Sequence, residues 1–382
     1  MVEYVSIGSL LTRKRDKAKK IGGEAPVYAV TNDKGFVLSS DLHDFTIHSE
    51  DTANYMVVEK NDFAYNPSRL NIGSIAYFKN DGKGLISPMY VVFHADEKRV
   101  LPEYLFVAIK SEAIRNKIDS LKEEGARFRF DFKRWDLIQI PIPSLSEQTR
   151  IVGILDTFTA AIENMKQQIA ERRKQYEYYR NELLDLEWKE GVETKTLKEV
   201  FDTRNGYTPS TKNELFWDNG TIPWFKMEDI RDNGRILKDS NLHITPQAVK
   251  GKGLFKANSI ILATSATIGE HALITVDYLS NQRFTNFYPK KNYEKLLDMK
   301  FVYYYMFVID EWCKQHINQG GFASVDMSGL YNLSFPIPSL EEQSRIVSIL
   351  DTFEASIANL EAQLKEREKQ YEYYRNKLLT FE

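Results

Sequence analysis

The chain has 382 residues, 42% of them hydrophobic and 27% charged, and a formal net charge of −3. That length and balance suit two or three domains with cores of their own and exclude a disordered chain or a uniformly basic coat. No stretch nears the roughly 18 consecutive apolar residues of a membrane span, and Met1-Val2-Glu3-Tyr4 starts a core pattern with no charged leader, so the expected location is the cytoplasm. Cys313 stands alone, and His43, His48, His94, His243, His271 and His316 are scattered without ligand spacing, so no disulfide and no bound metal are expected.

Residues 1–143 predict an α+β domain. After the opening Val2-Glu3-Tyr4-Val5-Ser6-Ile7 comes the densest basic run, Arg13-Lys14-Arg15-Asp16-Lys17-Ala18-Lys19-Lys20. It reads either as a solvated loop or as a patch able to neutralise phosphates. Short apolar runs such as Ile75-Ala76-Tyr77-Phe78, bounded by Gly, Asn, Asp and Ser, read as strands of a twisted sheet, and Tyr104-Leu105-Phe106-Val107-Ala108-Ile109 as an aromatic helix. A second basic cluster, Arg127, Arg129, Lys133 and Arg134, sits before Pro141.

From Ser144 the pattern changes. Ile151, Leu155, Phe158, Ile162, Met165, Ile169, Arg172, Tyr176, Tyr179 and Leu183 alternate steps of four and three, a 3.5-residue repeat that predicts a long helix with a narrow seam for another helix. Ser144 and Glu147 fit a capping box, and Pro143 bars an earlier start. At about 40 residues and ~1.5 Å per residue the helix reaches about 60 Å, more than one turn of B-DNA.

Residues 191–338 repeat the plan of the first domain with other surface residues. Val192-Glu193-Thr194-Lys195-Thr196-Leu197 echoes the opening, Ile260-Ile261-Leu262-Ala263 is a strand, Leu279–Phe287 aligns with Leu85–Phe93, and Tyr304–Ile309 with Tyr104–Ile109. Gly320-Gly321-Phe322-Ala323-Ser324 stands where the first unit has its second basic cluster and is almost uncharged. Residues 339–382 then repeat 144–190. Pro141-Ile142-Pro143-Ser144-Leu145-Ser146-Glu147-Gln148 recurs as Pro336-Ile337-Pro338-Ser339-Leu340-Glu341-Glu342-Gln343, and the ungapped match runs on to Leu186 and Phe381, with most positions identical. Ile346, Leu350, Phe353, Ile357, Leu360, Leu364, Arg367, Tyr371, Tyr374 and Leu378 carry the same 3.5-residue repeat. A tandem of two large units is expected, its domains 1–143, 144–190, 191–338 and 339–382. Each helix has the other as its obvious partner, and a structural rod is the plainer reading of such a pair.

These features carry a resemblance. The element P-I-P-S-L-x-E-Q-x-R-I-V-x-I-L-D at 141–156 and 336–351, with Gly206-Tyr207-Thr208-Pro209-Ser210 and Ile222-Pro223-Trp224, resembles the specificity subunits of Type I restriction-modification enzymes over essentially the whole chain. The resemblance implies two target-recognition domains, each reading half of a split, asymmetric double-stranded DNA site, held apart by two long antiparallel helices in a coiled coil with pseudo-two-fold repetition. It also implies two modification (methyltransferase) subunits, which carry S-adenosylmethionine, and optionally two motor-nuclease restriction subunits, which use ATP and Mg. This chain itself would hold no cofactor.

On that reading the candidate DNA contacts are Arg13, Lys14, Arg15 and Lys17 in the basic run, then Asn66, Arg69, Lys83, Ser87, Arg127, Arg129 and Lys133. In the second unit they are Arg204, Asn205, Tyr207, Thr208, Ser210, Lys226, Ser265, Thr267, Asn281, Gln282 and Arg283. Arg reads guanine bidentately and Asn or Gln reads adenine. The same residue types also serve turns, and the Arg127–Arg134 cluster could pair with Asp131 or Asp136. Gln-Tyr-Glu-Tyr-Tyr-Arg at 175–180 and 370–375 is more aromatic than a two-stranded seam requires, so its rings either cap the seam with cation–π contacts or dock the modification subunits.

No catalytic signature appears. The sequence has no G-x-x-x-x-G-K-[ST], H-E-x-x-H or G-x-S-x-G, and Asn66-Pro67-Ser68 departs from an amino-methyltransferase motif. Glu187-Trp188-Lys189 has the E-x-K shape of a nuclease site but reads as a solvated helix end. A non-catalytic subunit is expected. The rivals are a degenerate structural or decoy subunit that binds partners without reading DNA, and an autonomous DNA enzyme.

Overall fold

Strand-forming runs and helix-forming runs separate along the sequence, and so they do in the computed structural model, which describes residues 2–20, 25–32, 34–41, 52–121, 128–186, 189–318 and 323–381. The chain divides into two compact units, Met1–Gln167 with Glu361–Glu382, and Gln168–Leu360. The division therefore cuts through both long helices, where the sequence pattern suggested boundaries at the helix starts and ends.

The first unit contains β1 (Glu3–Ser6), β2 (Leu11–Lys14), β3 (Val27–Thr31), β4 (Gly35–Leu38), β5 (Met56–Glu59), β6 (Phe63–Tyr65), β7 (Ile75–Tyr77), β8 (Lys83–Ile86), β9 (Val91–Ala95), α1 (Pro102–Ile109), α2 (Glu112–Ser120), β10 (Gln139–Ile142) and the first part of α3 (Leu145–Leu184). Two four-stranded sheets run β2-β9-β6-β7 and β4-β3-β8-β5. Its core is aromatic: Phe63 stacks on Phe93 at 5.0 Å, and Phe130 meets Trp135 edge-on at 4.9 Å. Such offset and edge contacts add to the apolar burial of large rings.

The second unit begins in the later part of α3 and continues through β11 (Glu193–Thr196), α4 (Leu197–Val200), β12 (Phe201–Asn205), β13 (Ile222–Phe225), α5 (Met227–Asn233), β14 (Ile236–Leu237), β15 (His243–Ile244), β16 (Ser259–Ala263), β17 (His271–Ile274), β18 (Leu279–Ser280), β19 (Phe284–Pro289), α6 (Met299–Gln315), β20 (Ile317–Asn318), β21 (Ser324–Val325), α7 (Met327–Tyr331), β22 (Ser334–Ile337) and the first part of α8 (Leu340–Leu378). Its main sheet is β12-β19-β16-β17-β14. Strand register reveals the repeat. Leu85 sits opposite Val27 in a parallel pair and Leu279 opposite Trp224 in another, while Phe93 opposes Phe63 and Phe287 opposes Ile260.

The repeated Pro-Ile-Pro element has two tasks. Its strand pairs with the start of the unit, Tyr4 opposite Pro141 and Thr194 opposite Pro336. Its glutamine then clamps the helix start to the segment before α1 or α6. Gln148 is fully buried; its Oε1 accepts the Leu101 N–H at 2.8 Å, and its Nε2 donates to the Arg99 and Pro143 carbonyls, each at 2.9 Å. Gln343 does the same with the Asp298 N–H, Leu296 O and Pro338 O, each at 2.8 Å. These anchors equate Leu101 with Asp298 and therefore Tyr104 with Phe301. The alignment of Tyr104 with Tyr304 was three residues out, because runs of aromatic residues match one another in several registers.

The expected capping boxes form only in half. Ser144 and Ser339 accept the Glu147 and Glu342 N–H groups, but the two carboxylates turn away to Arg150 and Arg345, each of which donates from Nε and one Nη to the two carboxylate oxygens. A charge-assisted forked pair outcompetes one reciprocal amide bond.

The helical seam also differs from a uniform coiled coil. Ile151 and Leu155 belong to the core of the first unit, and Ile346 and Leu350 to that of the second. Helix-on-helix packing takes over further along, antiparallel in each unit. In the first, Phe158 meets Tyr374 at 5.3 Å and Arg367 lies over the Phe158 ring. In the second, Phe353 meets Tyr179 at 5.4 Å with Arg172 over its ring, and Tyr176 donates to Glu354 at 2.9 Å. Arginine thus occupies apolar-pattern positions by lying on a ring face.

Acid should test one of these helix starts selectively. Arg345 first and Lys189 second hold the Glu342 carboxyl down to about 2 from its usual 4.5. A carboxylate depressed by folding contributes fully above the unfolded value and loses that contribution as pH falls through the folded one. Glu342→Gln should therefore flatten the decline in urea midpoint between pH 4.5 and 2 relative to wild type; an unchanged decline would show that the pair adds nothing.

Candidate nucleic-acid interface

Three strands of the second unit finish together. Asn205 at the end of β12 lies opposite Thr285, and Ala263 at the end of β16 lies opposite Phe284, both at the start of β19. The loops at 206–210, 281–283 and 264–269 therefore leave from one end of the sheet. β13 adds Lys226 there, because Phe225 sits opposite Ser280 and its carbonyl accepts the Asn281 N–H at 3.0 Å. The β20–β21 hairpin joins through a bridge between Ser265 and Ser324.

The loops are clamped to one another. A Cβ on Gly206 would lie 2.3 Å from the carbonyl oxygens of both Ser280 and Asn281, so only glycine permits this approach. Thr208 Oγ1 donates to Gln282 Oε1 at 2.5 Å across the two loops. Asn281 Oδ1 accepts the Arg283 N–H at 3.0 Å, a local turn bond, and the Arg283 carbonyl accepts the Thr264 N–H at 3.0 Å. Thr264, Thr285 and Asn205 form a polar chain with links of 3.0 and 2.9 Å. Ala266 holds a left-handed φ of 66° on this end, a conformation that is costly for a residue with a side chain and that gathers at functional loops.

The sequence candidates of this unit sort by what their side chains touch. Asn205, Thr208, Ser210, Gln282 and Arg283 are exposed, and Lys226, Ser265, Thr267 and Asn281 half-buried, at the loop-bearing end. Lys226 approaches Glu228 at 3.9 Å. Arg204 and Tyr207 face inward. Arg204 donates to the Gly253 carbonyl at 2.9 Å and lies 4.1 Å above Phe255, and burial lowers its pKa. Tyr207 donates to the Ala248 carbonyl at 2.9 Å and accepts the Lys250 N–H at 2.8 Å. Their part is to hold the loop.

The first unit builds the same end from β2, β9 and β6, where Lys14 lies opposite Val92 and Tyr65 opposite Val91. Arg15, Arg69, Arg129 and Lys133 are exposed there or near it. The basic run is not one solvated loop. Arg13 and Lys14 are strand residues, Arg13 lies over Phe132, and Lys14 is sunk between Glu59 at 2.8 Å and Asp62 at 2.6 Å. Its ammonium is already neutralised, which removes it from the free cations. Lys83 shares Glu59 at 3.1 Å, and Lys17 reaches Asn54 at 3.4 Å. Asn66 is buried and accepts the Ser68 N–H at 2.9 Å as a turn residue; Ser87 Oγ accepts the Met89 N–H at 3.5 Å. Asp131 caps a short helix by accepting the Lys133 N–H, and Arg134 donates to the Leu121 carbonyl. Arg127 lies outside the described residues, as do Glu187, Trp188 and residues 319–322. Lys189 is bound to Glu342 at 2.7 Å. Sequence reading missed Thr264, Thr285, Asn318 and Ser324, which only the strand register brings to this end.

Among the described residues no group of His, Cys, Asp and Glu could hold a metal ion, and no helix is long and apolar enough to cross a membrane. His271 and Asp310 pair at 2.7 Å but are buried, and burial with the nearby Asp310 charge pushes the Cys313 thiol up to about 12, far from a reactive thiolate.

Residues 2–172 and 189–369 match the family described as Type I restriction modification DNA specificity domain. The chain is 50% identical over 201 residues to the EcoprrI specificity subunit of Escherichia coli, a stretch covering half of each protein. It is 35% identical over 322 residues to the EcoR124I/EcoR124II specificity subunit of Escherichia coli, covering 79% of this chain and 76% of that one. Among solved structures, a chain of a type I R-M system aligns with a TM-score of 0.69 at 18% identity, over 99% of this chain and 97% of that one. The HsdS subunit from Thermoanaerobacter tengcongensis aligns with a TM-score of 0.54 at 18% identity, over 99% and 96%. The doubled scaffold, the divergent loop ends and these likenesses agree: the chain belongs to the family of Type I restriction-modification DNA specificity subunits.

Proposed function

We propose that each unit reads one half of a split, asymmetric duplex sequence with the loop-bearing end of its main sheet. The observation that carries this reading is the contrast within each unit. The buried glutamine clamp and the Phe–Tyr helix contact recur atom for atom, whereas the loops at the sheet end share neither residues nor charge. A common frame with different readers yields unlike half-sites. The partners in this reading are two modification subunits, which carry S-adenosylmethionine and methylate adenine, and optionally two restriction subunits that use ATP and Mg, assembled in the cytoplasm. Co-expression with a methyltransferase subunit and mapping of adenine methylation across a genome should give one split motif. Methylation by this chain alone, or methylation without a motif, would overturn the reading.

The repeated Gln-Tyr-Glu-Tyr-Tyr-Arg segments supply the docking faces. Tyr179 and Tyr374 lie against the facing helix, while Tyr178 and Tyr373 are each 60% exposed and cover their neighbours only edge-on. Exposed rings suit an interface anchor. The double variant Tyr178→Ala, Tyr373→Ala should retain its helical signal and lose at least tenfold in affinity for the modification subunit by pull-down titration; undiminished co-purification would refute the assignment.

A further inference from the structure

We infer that the second unit recognises a guanine, not an adenine, with Gln282 and Arg283 at its sheet end. Asn205, Asn281 and Gln282 each have the amide oxygen engaged from within the unit, whereas Asn318 donates its Nδ2 to the Val325 carbonyl at 3.5 Å. Asn205 Oδ1 accepts from Thr285 Oγ1 at 2.9 Å, Asn281 Oδ1 from the Arg283 N–H at 3.0 Å, and Gln282 Oε1 from Thr208 Oγ1 at 2.5 Å. The backbone partner leaves no choice for Asn281, since an N–H can only donate. Behind Asn205, the Thr285 hydroxyl also shares a 3.0 Å bond with Thr264 Oγ1, in which either hydroxyl can donate.

Adenine is read by an amide that accepts from N6 and donates to N7 at once, which requires its oxygen to face the base. The Gln282 oxygen instead faces Thr208 across the two loops, which leaves its NH₂ group to donate. Arg283, exposed beside Gln282, adds only donors, and its guanidinium makes no hydrogen bond or ion pair among the described residues. The donors of Gln282 and Arg283 match the base edge that offers two adjacent acceptors in the major groove, N7 and O6 of guanine. Thr208 is a positioning residue in this scheme: it touches no base and sets which end of the Gln282 amide faces outward. The inference rests on the proposed reading of DNA by this end of the sheet.

Methylation mapping with the co-expressed methyltransferase subunit tests it, comparing wild type with Gln282→Ala, Arg283→Ala, Thr208→Val and Thr208→Ser. Gln282→Ala and Arg283→Ala should each relax one half-site at a G·C pair, with the preference for guanine falling about tenfold or more, while the other half-site stays intact. Thr208→Val should relax the same position as Gln282→Ala, and Thr208→Ser, which keeps the hydroxyl, should restore it. Melting curves coincident with wild type would show that the loops still fold; a variant that melts early is replaced by Gln282→Leu, which keeps the side-chain bulk. A wild-type motif left unchanged by these substitutions, or relaxed at an A·T pair, would overturn this inference alone. Absence of any split motif from the wild-type complex would overturn the proposed function together with it.

Discussion

Gln148→Ala should destabilise the first unit by about 3–5 kcal/mol, and Gln343→Ala the second by a similar amount, the largest losses expected from any single polar substitution outside the aromatic cores. Each glutamine is itself fully buried and makes three hydrogen bonds to main-chain groups. Net, such bonds contribute about 0.5–1.5 kcal/mol apiece, and truncation also strands the Leu101 N–H and the Arg99 and Pro143 carbonyls, each at a desolvation cost of about 1–3 kcal/mol. For a unit of this size ~1 kcal/mol moves Tm by about 2–4 °C, so a fall of roughly 10 °C is expected. Hydrogen exchange separates the two clamps: Gln148→Ala should release the Leu101 amide and leave Asp298 protected, and Gln343→Ala should do the reverse. A loss below about 1 kcal/mol would show that water replaces the side chain.

Gly206→Ala should weaken recognition of one half-site about tenfold or more while leaving the fold standing. The backbone at Gly206 has an ordinary φ, so the effect is purely one of closeness: the new methyl group would sit 2.3 Å from two carbonyl oxygens that cannot rotate away. The 206–210 loop must lift by about 1 Å, at an overpacking cost of about 1–3 kcal/mol that the unit can survive. The bond between Thr208 and Gln282 spans the two loops and would not survive the shift. Losing one base pair's contacts costs about 1–3 kcal/mol in a specific complex, so methylation at the native motif should drop tenfold or more. Normal methylation with Gly206→Ala would show that the loop clamp has no part in reading.

Both effects concern groups whose importance was only partly visible beforehand. The motif containing Gln148 stood out because it recurs, yet its glutamine looked like one more polar residue at a helix start. The capping box claimed Ser144 and Glu147, and nothing in the local pattern indicated that the third member points down into main chain about fifty residues away. Likewise the Gly-Tyr-Thr-Pro-Ser segment was legible as a polar loop with a glycine, but its tyrosine proves to be structural and its threonine the group that faces another loop.

What the sequence determined alone is the architecture: the duplication, the long helices with their 3.5-residue period, the mixed domains between them, and the absence of catalytic motifs. These are properties of periodicity and identity, which persist along a chain regardless of what it touches. Tertiary structure alone decided which polar residues matter. Lys14 and Arg204 carry the same charge as Arg15 and Arg283, but Lys14 lies between two carboxylates and Arg204 on a ring, and that difference depends on strand register, a contact between segments tens of residues apart. Register likewise brings Thr264, Thr285 and Asn205 into one chain of hydrogen bonds and engages the Asn205 amide oxygen. Composition specifies which donors and acceptors exist; only the fold determines which of them are still free to meet DNA.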